Sequence, residues 1–88
     1  MSSKIVTYDL ATPHGNYEIL YLKIQEYPKY ARVTQSCWLI KTSDSCEDIF
    51  KNLSSVMNNS DRVFIAELTS EATWLNTISS DRKIKNRL

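Results

Sequence analysis

The sequence predicts an α+β domain built on a mostly antiparallel sheet. Three observations carry this expectation. Apolar residues recur at helical spacing in two separate stretches, 17–27 and 45–57. Around them run short segments of strand character at 4–10, 31–42 and 63–68, and turn or helix-capping residues fall at the joins. With 88 residues, one Gly and two Pro, the chain has room for a single domain and little room for linkers.

The opening strand, Lys4-Ile5-Val6-Thr7-Tyr8-Asp9-Leu10, leads through the polar turn Ala11-Thr12-Pro13-His14-Gly15-Asn16 directly into a helix. A strand in that position is expected in the interior of the sheet, with Asp9 delivered to its C-terminal end. Asn16 is a candidate cap for the helix Tyr17 to Tyr27, in which Tyr17, Leu20, Ile24 and Tyr27 form one apolar stripe and Pro28 is the stop. Residues Ala31 to Gln35 alternate like a half-exposed strand, whereas Cys37-Trp38-Leu39-Ile40 is a continuous apolar run. A hairpin near Gln35-Ser36 and one long bent strand both satisfy that pattern.

The second helix has the clearer start. Asp44 with Glu47, or Ser45 with Asp48, has capping-box spacing, so this acidic cluster is explained by capping rather than by metal ligation. Ile49, Phe50, Leu53, Val56 and Met57 then share one face, and Asn58-Asn59 end the helix. Asp61-Arg62 opens a strand running from Val63 to Leu68, expected to pair with the first strand in the middle of the sheet. Ser70 is a candidate cap for a short last helix that turns Ala72, Leu75, Trp74 and Ile78 inward. Two helices alternating with strands in so short a chain fit on one sheet face, which is the split βαβ or ferredoxin-like arrangement. The other face is then expected to be bare, and a symmetric dimer pairing two such faces is the simplest cover.

Composition excludes several classes. No apolar run approaches the roughly 18 residues of a membrane span, and the first residues lack a signal-peptide pattern, so a cytoplasmic protein without membrane association is expected. Cys37 and Cys46 lack the spacing and histidine partners of a zinc site and are expected to be reduced. Charge is unevenly placed: residues 82–88 hold four of the eleven basic residues and no acidic one, leaving seven basic and ten acidic residues in positions 1–81. The expected organisation is one domain over 1–81 and a basic tail over 82–88. The tail is suited to phosphate or an acidic surface, or to solubility alone.

Taken together, Val6-Thr7-Tyr8-Asp9-Leu10, Gln35-Ser36-Cys37-Trp38-Leu39-Ile40-Lys41-Thr42 and Asp61-Arg62-Val63-Phe64-Ile65-Ala66-Glu67-Leu68 resemble the second universal CRISPR-associated protein family. That family comprises small metal-dependent nucleases and spacer-integration partners. The likeness is greatest to its stand-alone, SinR-like relatives, and it spans most of residues 4 to 78. The resemblance implies a ferredoxin-like fold, a homodimer, and a magnesium- or manganese-binding aspartate at the end of the first strand, which is Asp9 here. One carboxylate makes a poor magnesium site, but a two-fold axis near the strand ends would bring two copies of Asp9 together with water and substrate phosphate.

The chain departs from the family pattern in having no Lys or Arg between Ala11 and Tyr17. Contact with RNA or DNA then falls to Arg32, Lys41, Arg62 and the tail residues Arg82, Lys83, Lys85 and Arg87. His14, on a glycine-flanked loop, is a candidate proton carrier in catalysis beside Asp9. The first functional expectation is a homodimeric endonuclease hydrolysing RNA or DNA phosphodiesters. The alternatives are a catalytically inactive dimeric adaptor that binds nucleic acid, or a protein partner through a sheet edge or the tail, and a toxin-like ribonuclease of the same fold.

Overall fold

The computed structural model describes residues 1–12 and 17–88. It is an α+β structure with a four-stranded, entirely antiparallel open sheet and three helices. The elements are β1 (Ser2–Asp9), α1 (Glu18–Ile24), β2 (Lys29–Thr34), β3 (Cys37–Thr42), α2 (Cys46–Ser54), β4 (Arg62–Glu67) and α3 (Asp81–Lys85).

In the sheet the strands lie in the order β2-β3-β1-β4. β1 is interior, as its apolar run requires: Val6 stands opposite Trp38 of β3 on one side and Ile65 of β4 on the other. β4 pairs with β1 as expected but forms an edge of the sheet, because the chain after Leu68 leaves the sheet plane instead of adding a strand. The apolar change at Gln35-Ser36 is a hairpin turn between β2 and β3, and β2 also carries an irregularity between Arg32 and Thr34. The expected Asn16 cap lies outside the described residues. The α2 cap is the Ser45–Asp48 box: Asp48 N–H donates to Ser45 Oγ at 3.1 Å, and Ser45 N–H donates to Asp48 Oδ2 at 3.4 Å.

Alternation along the strands sorts the side chains into two cores. On one face Val6, Tyr8, Trp38 and Ile40 pack against Leu20 and Ile24 of α1 and Ile49 and Leu53 of α2. Both longer helices therefore cover the same face. Asn52 links them, its Nδ2 donating to Tyr27 Oη at 3.0 Å and its Oδ1 accepting from Lys23 Nζ at 3.3 Å. The aromatic stripe of α1 is core, and Trp38 Nε1–H, buried within it, donates to Tyr8 Oη at 2.9 Å. Burial raises the Tyr8 phenol above its usual range, with Trp38 and then Arg32 opposing the shift.

The opposite face corrects two expectations. No helix follows Ser70; residues 68–80 are irregular, and the helix forms at Asp81–Lys85, capped by Ser80. The stretch is rich in Ser, Thr and Asn, which compete with the helix through local hydrogen bonds, and Asn76 sits at φ 54°, in the left-handed region that interrupts a helix. Leu75 and Ile78, expected to point inward, are 85% and 63% exposed. The face is also not wholly bare. Ile84 of α3 is buried against Ala31 and Leu39, with Trp74 and Leu88 beside it, so the last residues cover the β2–β3 half. Residues 82–88 are thus docked rather than free: Ser3 Oγ donates to the Arg87 carbonyl, Arg87 Nε donates to Tyr30 O at 2.8 Å, and Lys41 Nζ donates to Leu88 O at 3.2 Å. The β1–β4 half of this face stays open, with Phe64 64% exposed.

None of the described helices is long and apolar enough to cross a membrane. Cys37 and Cys46 are both free, as expected, and burial pushes the Cys37 thiol up.

Candidate nucleic-acid interface

Two places gather the polar groups singled out by sequence. The first is the end of β1. Asp9 stands directly across from Arg62, and Arg62 Nη1 lies 3.5 Å from Asp9 Oδ2, both side chains being largely exposed. A shallow cleft lined by Thr7, Tyr8, Asp9, Arg62, Val63 and Phe64 opens beside them. The neighbouring carboxylate, Asp61, is fully engaged in structure: it accepts from Ala11 N–H and Asn58 N–H, each at 2.8 Å, and from Tyr17 Oη at 3.0 Å. Desolvation opposes its ionisation, but the bonds from Ala11, Asn58 and Tyr17 outweigh it and hold the carboxyl below its usual value.

Asp9 alone does not fit a divalent cation, because the carboxylate is already paired with a guanidinium. Among the described residues no group of three or more His, Cys, Asp or Glu is placed to hold a metal ion. The two-fold arrangement expected from sequence would need the Asp9 of a second copy. His14 lies outside the described residues.

The second place is the region around α3, and it draws together most of the basic residues proposed for nucleic-acid contact. Docking of Ile84 sets the helix against β2. Lys83 Nζ then lies 5.1 Å from the centre of the Tyr30 ring, and Arg87 spans from Tyr30 O to Lys83 O, the latter at 3.4 Å. Lys41 reaches the same segment through Leu88 O. Lys29, which sequence reasoning passed over, pairs directly with Lys41 across β2 and β3. Two like charges opposite one another on a sheet are unfavourable, and an anion placed between them would relieve that repulsion. Arg82 and Lys85 are exposed on α3. Asp81, at the start of the helix, is occupied by Trp74 Nε1–H at 3.0 Å.

The other two proposed contacts fall elsewhere. Arg62 is at the Asp9 end. Arg32 is on the helix-covered face, its guanidinium carbon 4.8 Å from the Tyr21 ring centre and 5.2 Å from that of Trp38, with Nη2 donating to Gln35 O at 2.6 Å. Its Nε is buried and has no hydrogen-bond partner among the described residues. The stacking and the Gln35 bond give Arg32 a structural task, that of fastening the β2–β3 turn to the core.

Comparison of the chain with known protein families, with curated proteins and with solved structures finds no match.

Proposed function

We propose that this chain is a nucleic-acid-binding protein of the second universal CRISPR-associated kind, acting as a homodimer in the cytoplasm and holding phosphate through the surface around α3. The observation that carries the reading is the gathering of Lys29, Lys41, Arg82, Lys83, Lys85 and Arg87 by the docked C-terminal segment. The strand order, the antiparallel pairing and the placing of α1 and α2 on one face support a ferredoxin-like assignment. A charged surface of this sort recognises backbone phosphate and not sequence.

The test is binding of labelled single-stranded RNA and duplex DNA over a range of salt, with Arg82→Ser/Lys85→Ser beside wild type. Each phosphate contact contributes a slope of roughly −0.9 for duplex and roughly −0.7 for a single strand in log K against log salt. The double substitution is expected to weaken binding and flatten the slope by up to about two contacts. Salt-independent binding, or equal binding by the variant, overturns the proposal.

A second reading is favoured by the exposure of Asp9 at the end of the central strand: a magnesium- or manganese-dependent endonuclease, whether CRISPR-associated or toxin-like, in which two copies of Asp9 share the metal. Cleavage of RNA or DNA that requires the metal, stops with EDTA and is lost in Asp9→Asn supports it. Identical behaviour of the two proteins removes it and leaves Asp9 as the partner of Arg62.

A further inference from the structure

The two tryptophans lie on opposite faces of the sheet and differ in how much of each ring is already engaged. Trp38 is 3% exposed, with Tyr21 and Tyr30 against its ring and its Nε1–H given to Tyr8. Trp74 is only partly buried. It packs against the cluster of Ala31, Leu39 and Ile84, its Nε1–H donates to Asp81 Oδ1 at 3.0 Å, and it lines a shallow cleft with Ala72, Thr73, Asp81 and Lys85. The indole is thus fixed from the core and from its nitrogen while part of its surface stays open. Among the described residues no ring and no cation stacks on it, in contrast to Tyr30, whose ring already has Trp38 and Lys83 beside it.

The charge around this ring has one dominant sign. Lys85 forms part of the cleft wall, and Arg82, three residues earlier on α3, is its neighbour on the helix surface; both are exposed. The acidic residue of the cleft, Asp81, is already engaged by the indole N–H. The cleft holds about 290 Å³, near the lower end of the roughly 300–1,000 Å³ typical of small-ligand sites, which suits a single planar ring system. An apolar protein segment seated here would have to desolvate Arg82 and Lys85. A polyanion that carries planar rings complements both the charge and the open indole.

We infer that the Trp74 cleft receives an unpaired base of single-stranded nucleic acid, which stacks on the indole while Arg82 and Lys85 hold the flanking phosphates. The inference rests on the nucleic-acid reading of the α3 surface and adds to it the class of strand. Phosphate contacts carry no information about the bases. An open aromatic ring in a cleft does, because only an unpaired base can leave its own stack to lie on it. In a duplex each base is stacked and paired, and the indole is left without a partner. Every base has a π-face, so the cleft selects single strands without selecting a sequence.

The test compares wild type, Trp74→Leu and Trp74→Phe for binding to a short unstructured single-stranded DNA and to the same strand annealed to its complement. Leu keeps an apolar side chain against Ile84 but offers no ring; Phe keeps the ring; both lose the bond to Asp81. Trp74→Leu is expected to weaken single-strand binding by roughly 5- to 150-fold, the effect of losing one stacked base. Trp74→Phe is expected to retain most of that affinity, and duplex affinity is expected to stay as in wild type in both variants. Tryptophan fluorescence should be quenched by the single strand in wild type and not in Trp74→Phe, since Trp38 is buried. Equal loss on single strand and duplex would show that Trp74 only holds α3 in place. That result, or unchanged binding in Trp74→Leu, or no quenching, overturns the inference and leaves the phosphate surface standing. Binding of neither nucleic acid by wild type overturns both.

Discussion

Replacement of Ile84 by Ala measures how firmly the C-terminal segment is built into the domain. Ile84 is 2% exposed and packs on Ala31 and Leu39, so the substitution strips three side-chain carbons from a closed site. At ~0.8 kcal/mol per buried methylene-sized group the transfer loss is about 2.4 kcal/mol, and the residual cavity raises the expectation to roughly 2–4 kcal/mol. A domain of this length has roughly 4–13 kcal/mol in total. With a urea m-value of about 1–1.5 kcal/mol/M, the unfolding midpoint is expected to fall by roughly 2 M. The two tryptophans report separately on the two faces, Trp38 from the helix-covered core and Trp74 from the α3 side. Since α3 carries three of the basic residues, the proposed nucleic-acid binding is expected to weaken in the same variant even where it remains folded. A midpoint shift equivalent to less than about 0.5 kcal/mol would refute the docking of α3 and, with it, the assembled phosphate surface.

Three further outcomes follow from the buried polar contacts and the caps. Tyr8→Phe deprives the buried Trp38 Nε1–H of its acceptor and is expected to cost about 1–3 kcal/mol in urea unfolding. Asp61→Asn tests a pH effect whose sign is fixed by the depressed carboxyl. The ionised form stabilises the fold above the ordinary value of 3.8, and this contribution is lost as pH falls through the lower folded value. The variant should therefore show a shallower acid limb below about pH 4 in thermal melts, and an unchanged limb contradicts the assignment. Ser45→Ala removes the acceptor for Asp48 N–H at the start of α2 and is expected to lower stability by about 1 kcal/mol, read by the same denaturation assay.

The parts of the fold that were legible in the sequence are those where local chemistry and burial agree. β1 and the pair Val63 to Leu68 announce themselves by apolar runs, and α2 by the Ser45–Asp48 box followed by Ile49 and Leu53 at helical spacing. The Gln35-Ser36 turn remained open because it lacks Gly and Pro; it is fixed instead by Arg32, which reaches back to Gln35 O while stacked on Tyr21 and Trp38. Such a contact depends on elements distant in the chain. The C-terminal region departs from its local pattern for the same kind of reason. Ser70, Ala72 and Leu75 have the local look of a capped helix, but Trp74 is drawn to Asp81 and the second core, and Asn76 interrupts the turn. Ile84, alone among charged neighbours, gives no periodic signal, yet it is the residue that covers the β2–β3 half of the sheet face.

The candidate site shows a similar division. The basic character of residues 82–88 was plain, whereas its convergence with Lys41 and Lys29 depends on the strand register that sets those two lysines side by side. Asp9 was correctly placed at the end of β1, but its pairing with Arg62 follows from the β1–β4 register, which local sequence does not specify.

The proposed contact of nucleic acid with the surface around α3 is open to direct test by amide chemical-shift mapping. Isotopically labelled wild-type protein would be titrated with a short single-stranded RNA and, separately, a short DNA duplex, both without divalent metal. The largest shifts are expected on Lys29, Lys41 and residues 82–88, weakening as salt is raised. Shifts centred instead on Asp9, Arg62 and the adjoining cleft, or no shifts at low salt, would contradict it.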